Sequence, residues 1–200
     1  NFEKIKNYFD KKLLDKKYNI KSDQKVILFT TQYLQKFHTT HGGFDYDVQI
    51  LEELINNFGN SDEFKIIVKP HPSENIHIYK TIIDKNNIKN FEIIEENLFE
   101  LIAISDIVLS VYSYSMMDAI CFRKPVIRVI FDNFDPKTLF DEFNGISKCH
   151  IKELSNEIKK ILFIKQSTSE NIDEYEIFIK EQYHIPENNP KLELEKILNS

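Results

Sequence analysis

Apolar and polar positions along this chain fall into two alternating rhythms. Residues 25–29 (KVILF), 64–68 (FKIIV), 91–94 (FEII), 107–111 and 126–130 are short, nearly continuous apolar runs. That is the pattern of parallel strands covered on both faces. Between them, apolar residues recur at helical spacing. Residues 45–58 put Val48, Leu51, Ile55 and Phe58 on one face, and residues 74–86 do the same with Ile78, Ile82 and Ile83. Asn97 stands as a cap before Leu98, Leu101, Ile102 and Ile104, with Glu100 at the capping-box position. Residues 116–122 read as a helix that Pro125 stops. An amphipathic helix is expected over residues 2–17, with Phe2, Ile5, Phe9 and Leu13 in one stripe. Another is expected over residues 150–165, carrying Ile151, Leu154, Ile158, Ile161 and Leu162. Residues 172–183 and 192–198 are further helices, with Pro186 and Pro190 between them.

Strands alternating with helices predict an α/β fold: a Rossmann-like open parallel sheet of about five strands with helices on both faces. The expected division is an N-terminal helix and linker (1–24), the Rossmann-like domain (25–165) and C-terminal helices packing on it (166–200).

The polar residues collect after particular strands. The first strand ends in Thr30, Thr31 and Gln32, and a long loop follows with His38, Thr39, Thr40, His41, Gly42 and Gly43. The glycine pair is half of the chain's four glycines. Glycine suits a positive φ or a close approach of ligand to backbone, so a ligand loop and an ordinary loop before a helix both fit. His38 and His41 have no accompanying carboxylate cluster and read as loop histidines, not metal ligands. The second strand delivers Lys69-Pro70-His71-Pro72. Its prolines stiffen the backbone. The loop can present an imidazole that donates to a phosphate or acts as acid or base; a strand-ending turn with a surface histidine is the plainer reading. After the fourth strand come Ser110, Tyr112, Ser113, Tyr114 and Ser115, just before a helix. Hydroxyls and free helix N–H groups there suit a phosphate. Asp118 shares the helical face of Ser115 and is either a ligand-binding carboxylate or a helix-face charge. Open α/β sheets bind ligands beyond the strands' carboxyl ends, at the switch point. A strand order 3-2-1-4-5 gathers these clusters at one crevice.

Composition narrows the class. Hydrophobic residues are 42% and charged residues 29% of the 200, as in a folded domain with a full core. The net charge of -6 and the absence of a basic patch exclude a duplex footprint, so no nucleic-acid partner is expected. No apolar run approaches the roughly 20 residues of a membrane span. No secretory signal leads the chain, and a cytoplasmic location is expected. Cys121 and Cys149 lack metal spacing and read as reduced thiols. The dinucleotide fingerprint GxGxxG is absent.

VKPHPSE at 68–74 and NLFELIAISDIVLSVYSYSMMDAICFRKPVI at 97–127 resemble the nucleotide-binding C-terminal half of two-domain (GT-B) transferases of bacterial surface polysaccharides. The similar groups carry a His-Pro motif: capsule polysaccharide transferases, bacterial sialyl- and polysialyltransferases, and CDP-glycerol glycerophosphotransferases. The last have an acidic residue and paired serines where this chain has Val111-Tyr112-Ser113-Tyr114-Ser115. The resemblance covers residues 25–130 well and the C-terminal helices loosely. It implies a glycosyltransferase using a CMP, CDP or UDP sugar donor to build capsule, lipooligosaccharide or another surface polysaccharide. His71, Ser113 and Ser115 then contact the donor phosphates, with Lys69 beside them. Thr30, Gln32, Gly42, Gly43 and Tyr114 belong to the same donor site, and Asp118 holds the ribose. His71 is the catalytic candidate, stabilising the leaving nucleoside phosphate. No cofactor or metal is required beyond the nucleotide-sugar substrate.

The catalytic base in GT-B enzymes normally comes from the N-terminal domain, and the 24 residues before the first strand are too short for one. The chain is therefore expected to be the donor-binding half. Its expected partners are a nucleotide sugar, a carbohydrate acceptor and an N-terminal domain, and a peripheral seat on the inner face of the plasma membrane is compatible. Two other readings share the fold. One is a sugar-nucleotide 2-epimerase-like protein, whose usual glycine-rich turn residues 113–118 lack. The other is a non-catalytic module binding a nucleotide or a partner protein.

Overall fold

The computed structural model describes residues 9–33, 45–141, 143–164, 177–179 and 181. Six strands form one parallel sheet: β1 (Lys25–Thr30), β2 (Phe64–Lys69), β3 (Phe91–Ile93), β4 (Ile107–Ser110), β5 (Val126–Ile130) and β6 (Ser147–His150). Their spatial order is β3-β2-β1-β4-β5-β6. The helices are α1 (Lys11–Lys17), α2 (Tyr46–Phe58), α3 (His77–Lys85), α4 (Leu98–Ile104), α5 (Ser115–Cys121) and α6 (Leu154–Phe163).

Successive strand residues point to opposite faces, and each face has its own core. Ile27, Phe29, Ile66, Val68, Ile107, Leu109, Ile127 and Val129 pack with Ile50, Leu54 and Phe58 of α2, Tyr79 of α3 and Leu154 and Ile158 of α6. Val26, Leu28, Ile67, Val108 and Val126 pack with Leu14 of α1, Leu101 and Ile102 of α4 and Met116 and Ile120 of α5. This two-sided burial is why the strand sequences are continuously apolar rather than alternating.

Three expectations are corrected. The sheet has six strands, not about five: β6, with sequence SKCH, pairs with β5 at the edge. Of its residues only Cys149 is buried, so no apolar run announces it. The first helix, in its described part, starts at Lys11, because the Asp10 carboxylate caps the N–H groups of Lys12 and Leu13. Leu14 and Tyr18 are buried and Leu13 is 66% exposed, so the expected stripe does not hold here; Phe2 and Ile5 lie outside the described residues. The helix expected over 74–86 begins at His77, since residues 71–74 form a turn in which the Glu74 N–H donates to the His71 carbonyl at 3.0 Å.

Neighbouring helices are tied by their polar ends. Asn97 accepts the Glu100 N–H at 3.3 Å. The Glu100 carboxylate accepts instead from Lys17 and the Tyr18 hydroxyl, each at 2.5 Å, docking α1 on α4. Lys124 donates to the Ala103 and Ser105 carbonyls, each at 2.8 Å, at the C-terminus of α4, where positive charge is favoured. Beyond α6, Phe178 stacks on Phe143 with centroids 4.0 Å apart. Most of the expected helices over 172–183 and 192–198 lie outside the described residues. Among the described residues, no helix is long and apolar enough to cross a membrane.

The order places β1 between β2 and β4. The chain runs outward from β1 to β2 and β3 and then crosses back to β4 on the other side of β1, and this reversal opens a crevice beyond the carboxyl ends of β1 and β4.

Candidate functional site

Three consecutive residues at the carboxyl end of β1 bind both turns that flank the crevice. Thr30 reaches the serine-rich turn after β4. Its hydroxyl lies 2.6 Å from the Ser115 hydroxyl, and its carbonyl accepts the Ser110 hydroxyl at 2.8 Å. Gln32 reaches the same turn. With its amide turned so that the oxygen faces the turn, it accepts the backbone N–H groups of Tyr112 at 2.6 Å and Ser113 at 2.7 Å. Thr31, between them, faces the other way, onto the His-Pro turn after β2. Its hydroxyl donates to the Glu74 carboxylate and accepts the His71 N–H at 3.1 Å.

The His-Pro turn is closed from both ends. The Glu74 N–H donates to the His71 carbonyl, and the Glu74 carboxylate accepts the His71 N–H at 2.8 Å. The other carboxylate oxygen accepts the Tyr79 hydroxyl at 2.7 Å. Within the turn, His71 Nδ1 accepts the Ser73 N–H at 3.1 Å. In the neutral imidazole the proton therefore sits on Nε2. The ring is exposed and lies against Tyr33, with centroids 6.3 Å apart and planes 20° apart. Lys69 is half-buried, its ammonium donates to the Pro70 carbonyl at 3.1 Å, and burial pulls its pKa down.

On the opposite turn, Ser115 and Ser110 are buried and their hydroxyls are already partnered within the strand ends. Ser113 accepts the Ser115 N–H at 3.2 Å and keeps its own proton to donate. Tyr114 is 77% exposed. The turn's N–H groups at Tyr112 and Ser113, which the sequence offers to a phosphate, are held by Gln32. Thr30, Gln32 and Ser115 thus build the turn from beneath, while Ser113 and Tyr114 face outward from it. Gly42, Gly43, His38 and His41 lie outside the described residues.

Burial pushes the Asp118 carboxyl up to about 6. A carboxyl whose folded pKa exceeds its unfolded value of about 3.9 is bound to its proton more tightly in the folded protein. Its ionisation therefore costs stability as pH rises from about 4 to above 6, up to about 3 kcal/mol in full. Asp118→Asn is expected to raise the urea midpoint at pH 7.5 and leave it nearly unchanged at pH 4. Equal shifts at both values would contradict this assignment.

Three residues of this region escaped the sequence reading. Glu74 reads in the sequence as a helix start, and the structure places it at the close of the His-Pro turn, three residues after His71. Tyr79, fully buried, is its hydroxyl partner. Asp47, 1% exposed in the first turn of α2, accepts the Gln32 N–H at 3.2 Å with one oxygen, and its other oxygen has no hydrogen-bond partner among the described residues. Burial, then the nearby Glu74 charge, push the Asp47 carboxyl well above the usual carboxylate range. An acid among the apolar positions of α2 was the available signal.

Residues 1–132 match the sequence profile of the alpha-2,8-polysialyltransferase family. No curated protein matches the chain in sequence. Among solved structures, a variant of the wall teichoic acid polymerase TagF is similar over 88% of this chain and 45% of its own, with 18% identity and a TM-score of 0.60. The C-terminal domain of LpcC, a glycosyl transferase group 1 family protein from Francisella tularensis, is similar over 87% of this chain and 93% of its own, with 9% identity and a TM-score of 0.58. UDP-GlcNAc 2-epimerase from Neisseria meningitidis is similar over 87% of this chain and 48% of its own, with 18% identity and a TM-score of 0.54. These likenesses concern the fold. The chain spans about half or less of the TagF and epimerase chains and nearly all of the LpcC domain.

Proposed function

The chain belongs to the alpha-2,8-polysialyltransferase family, and from that membership we propose that its carboxyl-edge crevice binds the nucleotide of an activated sugar donor in a glycosyltransferase that extends a carbohydrate acceptor. Among CMP, CDP and UDP types, a cytidine-linked sialyl donor is the first to test. The observation that carries the reading is the double attachment at the end of β1: Thr31 holds the His71 turn, and Thr30 and Gln32 hold the Ser113 turn. Two ligand-facing turns are thereby fixed on either side of a sheet switch point.

In the transfer step an acceptor hydroxyl oxygen bonds to the anomeric carbon of the donor sugar, and the bond from that carbon to the nucleotide phosphate oxygen breaks. The electron pair leaves with the phosphate. His71 Nε2–H, the Lys69 ammonium and the Ser113 hydroxyl donate to the oxygens where that charge collects. Asp118 receives a donor hydroxyl, and the exposed Tyr114 ring offers a face to the base. The acceptor's proton passes to a base on a second domain.

The match of residues 1–132 spans both turns, which favours transfer over epimerisation, and residues 113–118 hold no glycine. The test is a transfer assay on the full protein that contains this chain, with CMP-, CDP- and UDP-linked sugars offered beside an oligosaccharide acceptor. Growth of the acceptor with one donor is expected. Release of a free epimer without acceptor growth would favour the epimerase, and binding without turnover the non-catalytic module.

A further inference from the structure

We propose that Glu74, with Thr31, is a positioning pair for His71, setting the direction in which the imidazole presents Nε2–H. The proposal rests on the donor-site reading above and goes beyond it in naming residues that touch no ligand.

The geometry is specific to a positioning role. Glu74 is three residues from His71, and the two close on each other in both directions: N–H to carbonyl at 3.0 Å and N–H to carboxylate at 2.8 Å. With both ends of residues 71–74 tied, the Ser73 N–H is held where His71 Nδ1 accepts it. That contact chooses the tautomer. The carboxylate is itself anchored on two separate elements, by the Thr31 hydroxyl at the end of β1 and the Tyr79 hydroxyl in α3 at 2.7 Å. The turn therefore inherits the rigidity of the sheet rather than floating on a loop. An isolated surface turn would need none of these anchors. A partly buried carboxylate that accepts the backbone N–H of one exposed histidine, and is itself braced by two hydroxyls from other elements, is a support for that histidine.

Glutamine can reproduce the arrangement. Its oxygen accepts from His71 N–H and Thr31, and its amide donates to the Tyr79 oxygen once that hydroxyl turns. Alanine cannot.

The experiment uses the full protein and two readouts. In the transfer assay, Glu74→Ala is expected to lower kcat by about 10²-fold, the cost of misplacing a catalytic group by about an ångström. Glu74→Gln is expected to restore most of it, and Thr31→Val to show a smaller loss of the same kind. In the His71→Ala background, Glu74→Ala is expected to cost nothing further. The second readout is the imidazole nitrogen spectrum of His71, with Nε2 protonated in the wild type and in Glu74→Gln and a tautomer mixture in Glu74→Ala and Thr31→Val. An undiminished loss in the His71→Ala background, or an unchanged tautomer in both Glu74→Ala and Thr31→Val, overturns the proposal. Should Glu74→Ala fail to fold, Thr31→Val carries the same comparison. If His71→Ala itself leaves transfer intact, the donor-site reading fails, and the nitrogen spectrum still decides whether Glu74 and Thr31 set the ring.

Discussion

Replacing His71 with alanine is expected to lower glycosyl transfer by the full protein by roughly 10²–10³-fold in kcat, the usual cost of one preorganised donor to a developing oxyanion. The side chain is exposed, and its one internal hydrogen bond among the described residues is the turn contact from Ser73 to Nδ1. Removing it leaves no cavity, and the thermal midpoint is expected to move by less than about 2 °C, as for a surface substitution. Loss of activity with retained stability separates a charge-stabilising group from a structural one. His71→Gln should fall between wild type and alanine, because an amide can donate to the phosphate but with a different reach. A His71→Ala enzyme with wild-type kcat and donor KM would remove His71 from the mechanism.

The second large effect is on stability. Arg128→Ala is expected to destabilise the domain by about 3–5 kcal/mol, the range for removing one partner of a buried charge network. Arg128 lies in β5 and is 1% exposed. Its Nε donates to the Val111 carbonyl at 3.2 Å, Nη1 to Asp141 at 2.6 Å, and Nη2 to Asp135 at 2.8 Å and to the Pro136 carbonyl. One guanidinium thus joins the start of the serine-rich turn to the loop over 131–141. Lysine has no fork with which to serve all four acceptors, so Arg128→Lys is expected to recover less than half of the loss.

The Asp141 carboxyl is held well below the usual range, first by the Thr138 N–H and then by Arg128 and Lys148. A depressed folded pKa gives stability that is complete above the unfolded value of about 3.9 and is lost as pH falls toward the folded one. The wild type should therefore lose part of this loop's anchoring only below about pH 4. Urea midpoints of the three proteins at neutral pH and at pH 3 test both statements. A midpoint for Arg128→Ala equal to that of wild type would show that the network contributes nothing net.

Much of the fold was legible because two-sided burial writes itself into sequence. KVILF and FKIIV have no polar face to offer, and runs of that kind have few homes other than a parallel sheet between helices. Edge strand β6 was not legible because an edge needs fewer apolar residues, and SKCH buries only one. The start of α1, in its described part, follows from a single cap at Asp10, which a stripe of spacings does not register.

The candidate site was legible as two turns on one edge, through Lys69-Pro70-His71-Pro72 and Ser113-Tyr114-Ser115. Its internal division was not. Which hydroxyls stay open and which brace the turn depends on contacts across about 80 residues, such as Thr30 to Ser115 and Gln32 to the turn backbone. Such contacts follow from strand order and not from spacing along the chain. Glu74 and Asp47 were missed for the same reason: each looks like an ordinary helix-face acid until β1 is laid between β2 and β4.

The most direct test of the donor-site account is a calorimetric titration of CMP, CDP, UDP and GDP into the full protein and its His71→Ala variant. One nucleotide should bind the wild type, and its affinity should fall roughly 10- to 100-fold in the variant, as expected for a lost hydrogen bond to a charged phosphate. Binding of none of the four, or equal affinity in both proteins, would contradict it.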